Sequence, residues 1–355
     1  MRQRIDFGGG VWRLRTRWFS FRIPLRLLTV AAALMVLALG TALVSITLGD
    51  YPLSLGEVVS TLIGSGESFH GMIVLEWRSP VAVAAVVFGA LLGLGGAIFQ
   101  SLTRNPLGSP DVIGFDAGAY TTVVVTILLL GSGGYWTVAG AALAGGLLTA
   151  FAVYLLAYRQ GIQGFRLIIV GIGVSAMLGS VNAYLVTRAD ITDAMTVGFW
   201  GAGTITRVSW TGMVPAAVLS CLILISAGLL ARSLGQLELG DDTARTQGAR
   251  VNAARLGLII TGVATTALVT AAAGPIGFIA LVAPQLARRI TASSGVSMLS
   301  AAAMGAFLLT AAHLLSLSIA QLYRPVPVGL ITVCLGGIYL IWLLVREARR
   351  QNGVL

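Results

Sequence analysis

The stretch "GAIFQSLTRNPLGSPDVIGF", Gly96 to Phe115, holds two prolines, an Arg-Asn pair and an aspartate, and it sits between runs that are apolar for twenty residues or so on either side. The residue before a proline is pushed out of the helical region. Asn105-Pro106 and Ser109-Pro110 therefore predict a fixed turn after one apolar helix and a capped start to the next. A rigid polar turn of this kind suits the mouth of a membrane-embedded helix pair.

The rest of the chain agrees. At 355 residues, 57% hydrophobic, 10% charged and with a mean hydropathy of +0.91, it lies outside the soluble globular range. A helix needs about 20 apolar residues to cross a bilayer, because no backbone amide can face lipid unpaired. Such runs fall near 25–48, 80–100, 113–131, 136–158, 166–187, 212–231, 253–272, 276–290, 298–320 and 327–345. The expected fold is thus all-α, a polytopic transmembrane bundle of about ten spans. The eighth run is short and opens with "GPIGF", which predicts a tilted, broken or partial crossing. The first is too long for a signal-peptide core and reads as an uncleaved span. An Arg-rich segment 1–24 precedes a membrane domain 25–345, and a tail 346–355 follows it.

There is no lysine, so all 23 basic residues are arginines and the net charge of +10 is fixed at any relevant pH. If the N-terminus lies inside and spans alternate, 19 of the 23 arginines are cytoplasmic, and only Arg78, Arg188, Arg207 and Arg324 are outside. Both termini are expected in the cytoplasm, in an inner membrane. Because the arginines flank membrane spans, lipid headgroups are their expected partners and nucleic acid is not.

Several chemistries drop out. A phosphate loop needs a lysine, so the chain cannot hydrolyse ATP through one, and Schiff-base catalysis fails for the same reason. Cys221 and Cys334 stand alone in apolar segments and are expected to be small buried hydrophobes, with neither a disulfide nor a metal site. Most carboxylates fall in loops or at span ends. His313 is deep in a span and reads as a neutral, hydrogen-bonded packing residue, and Asn182 as interhelical glue. Gly89 and Gly93, Gly145-Gly146, Gly171 and Gly173, and Gly336-Gly337 predict close helix contacts. What is left is a passive pathway whose energy comes from elsewhere. A secondary transporter is the runner-up, and a membrane-embedded enzyme ranks third.

On the cytoplasmic side, "ARSLGQLELGDDTARTQGARVNAAR", Ala231 to Arg255, predicts two short helices. Gly240 would end the first, Asp241 or Asp242 would cap the second, and Gly248 would end it. Two stiff pieces would make a lever.

The segments "RSPVAVAAVVFGALLGLGGAIFQSLTRNPLGSPDVIGF", "LGQLELGDDTARTQGARV", "GPIGFIALVAPQLARRI" and "PVPVGLITVCLGGIYLIWLL" resemble the signature segments of the FecCD-type iron–siderophore permeases of ABC importers, the family that includes the cobalamin permease. The resemblance runs in order from Leu25 onward, and the segments look most similar to those of the enterobactin-type, catecholate-transporting members. It implies a type II ABC importer permease fold that pairs with a second permease subunit, here expected to be a different chain. Two cytoplasmic ATPase subunits would bind below, with ATP held on them and no cofactor on this chain, and an extracytoplasmic siderophore-binding protein would deliver the Fe(III) chelate from outside. In that scheme Leu237, Glu238, Gly240, Asp241, Asp242, Arg245 and Gly248 would couple to the ATPase. Gln100, Arg104, Asn105, Pro106, Ser109 and Pro110 would border the translocation path, and Arg78 and Arg324 would dock the binding protein. Three positions depart from the family's habit, namely Val81 for an arginine, Gln285 for a histidine and Pro325 for an acidic residue.

Overall fold

The computed structural model describes residues 10–15, 20–111, 114–131, 133–158, 164–293 and 295–351. Arg2, Arg4, Arg17 and Arg159, and the tail beyond 351, lie outside them. Ten apolar helices are found where apolar runs were expected: α1 (Leu25–Thr47), α4 (Ser79–Thr103), α5 (Phe115–Leu128), α6 (Tyr135–Ala157), α7 (Gly164–Arg188), α9 (Trp210–Glu238), α11 (Val251–Ala273), α12 (Ile279–Thr291), α13 (Met298–Leu322) and α14 (Val328–Gln351). Between them lie the short helices α2 (Leu55–Leu62), α3 (Ser68–Gly71), α8 (Ile191–Gly201) and α10 (Asp241–Thr246). One departure from an all-helical chain is an antiparallel hairpin in the Arg-rich segment, β1 (Val11–Arg15) with β2 (Ser20–Pro24), registered Val11 to Pro24 and Arg15 to Ser20.

Among the described residues, eight helical stretches are long and apolar enough to span a bilayer. The third and eighth apolar helices are not, since α5 has 14 residues and α12 has 13, about 21 and 20 Å at 1.5 Å per residue. The short eighth element was expected and the short third was not. Gly114, at φ +87°, caps α5 without any side-chain bond. Ser109 and Pro110 therefore stand upstream of the helix they were expected to cap, because the chain after Pro110 needs further residues to enter it. α12 begins from Phe278, a non-glycine residue at φ +69°. The irregular "GPIGF" backbone before it is buried in protein: a Cβ on Gly274 would strike Trp200 O, and one on Gly203 would strike Pro275 O. Buried protein surroundings are what such backbone requires at membrane depth.

The core is organised on α4, which packs against α13, α11, α12, α9 and α1. Its glycines set the separations. A Cβ on Gly89 or Gly93 would run into backbone atoms of Ala301, Gly305 or Ala306 on α13, and one on Gly96 into the backbone of Ala280 on α12. Gly145 and Gly146 meet Thr122 and Phe115 in the same manner, but Gly173 and Gly337 face open space. The expectation of close contact therefore fails at those two positions among the described residues. It fails likewise for Cys221 and Cys334, which are exposed on α9 and α14.

At its start, α4 continues a π-helical turn, Met72–Arg78, and α2 is held by a capping box in which Ser54 and Glu57 bond each other's backbone and side chain. These bonds hold the Glu57 carboxyl below its usual range.

Candidate functional site

The turn after α4 is built by local chemistry. Arg104 adopts φ +49°, and Asn105 N–H and Arg104 N–H bond back to Gln100 O and Ser101 O, each at 3.3 Å, which closes the helix in a Schellman arrangement. A glycine would fill that position without cost, whereas a left-handed arginine costs on the order of 1–3 kcal/mol. Its side chain explains the choice. Arg104 Nη2 donates to Leu237 O at 2.9 Å and reaches Asp241 Oδ1 at 3.4 Å. The prolyl turn then folds under α4: Asn105 Oδ1 accepts from Leu107 N–H at 2.9 Å, and a Cβ on Gly108 would collide with Thr103 Oγ1. Ser109 is buried with its hydroxyl unpartnered among the described residues, and Pro110 lies against Gly95 of α4.

Gln100, buried near the end of α4, donates to Leu281 O of α12 at 2.8 Å. Gln285 Nε2 in turn donates to Gln100 Oε1 and to Pro106 O, both at 3.0 Å. One of the three departures from the family habit thus ties α12 to the prolyl turn. No local pattern in the sequence marked Gln285 as part of this site.

The corner within Ala231–Arg255 differs from the expected pair of short helices. α9 runs unbroken from the membrane to Glu238, so its last turns replace the first of them. Gly240 turns the chain at φ +112°, and α10 follows as the single short helix, with no side-chain cap from Asp241 or Asp242. Asp241 is engaged elsewhere, since Arg255 Nη2 donates to both of its oxygens at 2.8 Å and Arg104 approaches the same carboxylate. Gly248, at φ +82°, ends α10 with a second Schellman pair, Ala249 N–H to Ala244 O and Gly248 N–H to Arg245 O, both 3.0 Å. Asp242 and Arg245 pair at 3.1 Å in full solvent, where such a contact contributes little. Leu237 is buried, and Glu238 accepts a bond from Ser101.

The prolyl turn and this corner are therefore one unit. Arg104, Asp241 and Arg255 form a charge triad and Ser101 and Glu238 a second link, while the two glutamines tie α12 to the same turn. Arg255, Ser101 and Gln285 join the residues marked in advance. Arg255 was legible only as one more cytoplasmic arginine.

The two arginines expected to dock a binding protein differ in environment. Arg78 donates to Ile46 O at 2.8 Å and Tyr51 O at 2.6 Å, which clamps the end of α1 to the start of α4, and it has no ion pair with Glu76. Arg324 is exposed in the turn between α13 and α14 and bonds nothing among the described residues. His313 is buried and lines a cavity of about 280 Å³ shared with Arg78 and Thr206, yet its Nδ1 has no partner. The Oδ1 of buried Asn182 is likewise unpartnered. Among the described residues, no partner is found for either of these two atoms.

The described residues form a helical membrane bundle in which polar side chains join the prolyl turn after α4 to the corner around α10. Sequence relations give the particular kind. The pattern of the FecCD transport family matches residues 34–346, and the chain belongs to that family. It is 47% identical over 305 residues to the ferric enterobactin transport system permease protein FepG of Escherichia coli, covering 85% of this chain and 91% of that protein. It is 31% identical to the hemin transport system permease protein HmuU of Yersinia pestis, covering 90% and 95%. Among solved structures, an inward-facing conformation of a putative metal-chelate type ABC transporter superposes with a TM-score of 0.77 at 23% identity over 90% of this chain and 99% of that one, which supports the fold. The protein is a transport subunit rather than an enzyme, and the secondary-transporter alternative falls with the family assignment.

Proposed function

We propose that this chain is one permease subunit of an ABC importer that moves a ferric siderophore of the catecholate type across the inner membrane into the cytoplasm. The observation that carries the substrate class is the 47% identity to the enterobactin permease along nearly the whole of both chains. In this reading a second, different permease subunit completes the pathway, and two ATPase subunits below hold the ATP. A siderophore-binding protein docks outside, where Arg324 offers an unpartnered guanidinium, and both termini face the cytoplasm.

The geometry supplies a route for coupling. A movement imposed by the ATPase on α10 and its Gly240 corner is passed to Arg104 through Asp241, and to the end of α4 through Glu238 and Ser101. From there the Gln100–Gln285 bond carries it to α12 and to the Pro106 turn beside the path. Each link is a direct bond between rigid helix ends, so displacement is transmitted rather than absorbed.

The test is uptake of radioiron–enterobactin into proteoliposomes holding this chain with its partner permease, ATPase subunits and binding protein. Uptake is expected to require ATP hydrolysis and to withstand an uncoupler. ATP hydrolysis by the isolated chain, or uptake that collapses with the proton gradient, refutes the proposal, and preference for a hydroxamate chelate refutes the substrate class.

A further inference from the structure

Three helix ends meet on the side assigned to the cytoplasm: the start of α1, the end of α12 and the last turns of α14. Arg26 Nη2 on α1 donates to Ile290 O in the final turn of α12 at 3.0 Å. Arg288 and Arg289 occupy that same turn. The Arg289 guanidinium lies 4.8 Å from the centre of the Trp342 ring and 5.9 Å from that of Tyr339, and Arg346 lies 5.5 Å from the Trp342 ring on its own helix. Two guanidinium groups therefore share one indole, with Arg288 in the same turn as Arg289 and Arg26 bonded to that turn from α1.

None of these four arginines has an ion pair among the described residues, where the three ion pairs all belong to the Asp241 and Asp242 corner. Like charges crowded on one aromatic ring repel unless something negative joins them. The cluster is exposed, and it stands at the end of an apolar face. Ile338, Trp342 and Val345 are exposed at helical spacing on α14, with Ile341 beside them and Ile290 exposed on α12. Apolar residues that run into a tryptophan and then into arginines trace the passage from acyl chains to headgroups.

We infer that this cluster is a binding site for an anionic phospholipid of the inner leaflet. The phosphodiester sits between Arg289 and Arg346, and Arg26 and Arg288 supply further positive charge. The acyl chains lie along Ile338, Ile341 and Ile290. Guanidinium groups suit this task, since they pair with phosphate oxygens in a planar fork and stack on an indole at the same time. The site would tether the ends of α12 and α14 to the membrane, next to the helix that Gln285 joins to the prolyl turn. The inference rests on the proposed cytoplasmic orientation, but lipid retention is read without transport, so its failure leaves the importer proposal standing.

The full-length chain in mild detergent, titrated with phosphatidylglycerol against phosphatidylcholine and followed by native mass spectrometry, tests it. Wild type is expected to retain phosphatidylglycerol selectively. Arg289→Gln and Arg346→Gln should each weaken that retention about five-fold, the value of one basic contact near a lipid surface, and raised salt should weaken it further. Arg232→Gln, an exposed cytoplasmic arginine elsewhere, should change nothing. If Arg289→Gln fails to fold, Arg346→Gln, at an exposed position on the last turns of α14, gives the same reading. Equal retention in the variants, an equal loss with Arg232→Gln, or displacement of the lipid by millimolar inorganic phosphate would each overturn the assignment, the last by showing a free-anion site instead.

Discussion

α4 and α7 are both 25 residues long, glycine-rich and apolar, yet 78% of the most apolar stretch ending in α4 is buried within the chain, against 17% for α7. The glycines of α4 are contact points where a Cβ would meet another helix's backbone or a hydroxyl, whereas Gly173 and Gly179 of α7 meet nothing. A glycine in a membrane helix therefore marks a possible close approach, and only a neighbouring helix makes it one. α4 is also pinned at both ends, by Arg78 on the side proposed as outer and by Arg104 on the side proposed as inner, while no described side-chain bond ties α7 to another helix.

The largest effect should come from breaking the middle of α4. Gly96→Val forces a branched side chain into the Ala280 backbone, where neither element can yield, so the cost should exceed the ~1–3 kcal/mol of ordinary overpacking. Little monodisperse protein should be recovered in detergent; a normal yield and melting temperature would show that α4 is less constrained than its contacts imply.

Next comes the inner pin. Arg255→Gln removes two charge-assisted bonds to Asp241, at a cost of about 2 kcal/mol given the partial burial of the pair. Because Arg104 loses its oriented partner as well, uptake by the assembled importer should fall more than the stability does. Stability lost without any change in ATP-coupled uptake would reduce the triad to a structural clamp.

The outer pin should matter less. Arg78→Ala frees two backbone carbonyls near solvent, for about 1 kcal/mol, and the melting temperature should drop even without a binding protein. Arg324→Glu should leave the melt unchanged and weaken binding-protein association most at low salt, as expected of an exposed charge contact. Unchanged association at low ionic strength would remove Arg324 from the docking surface.

The smallest effect belongs to α7. Gly173→Val adds a side chain to open space and should shift the isolated chain by less than about 0.5 kcal/mol. A large destabilisation in detergent would mean that α7 packs within its own chain after all, which would erase the contrast with α4.

Much of this was legible in advance because it depends on neighbours along the chain. Apolar runs long enough to cross a bilayer locate the helices, Gly240 and Gly248 locate the corner, and Asn105-Pro106 locates the turn. Two errors share a cause. The Ala231–Arg255 loop was divided into two helices since polar residues begin at Arg232, but a helix leaving the membrane continues into water as long as its backbone bonds are kept, and α9 does so to Glu238. Asp241 was assigned to a cap because aspartate at a helix start commonly serves as one, yet a charged partner on another helix competes better for the carboxylate than a free amide does.

By itself the sequence determined that this protein lies in a membrane, where its helices run and which family it resembles. These follow from hydropathy, backbone chemistry and motif order, all of which act locally. The tertiary structure alone decided that Gln100 meets Gln285 across 185 positions, that Asp241 takes Arg255 and Arg104 together, and that α4 is enclosed while α7 is bare. Those pairings depend on which helix faces lie within side-chain reach after packing, and nothing in the spacing of residues along one helix records the face of another.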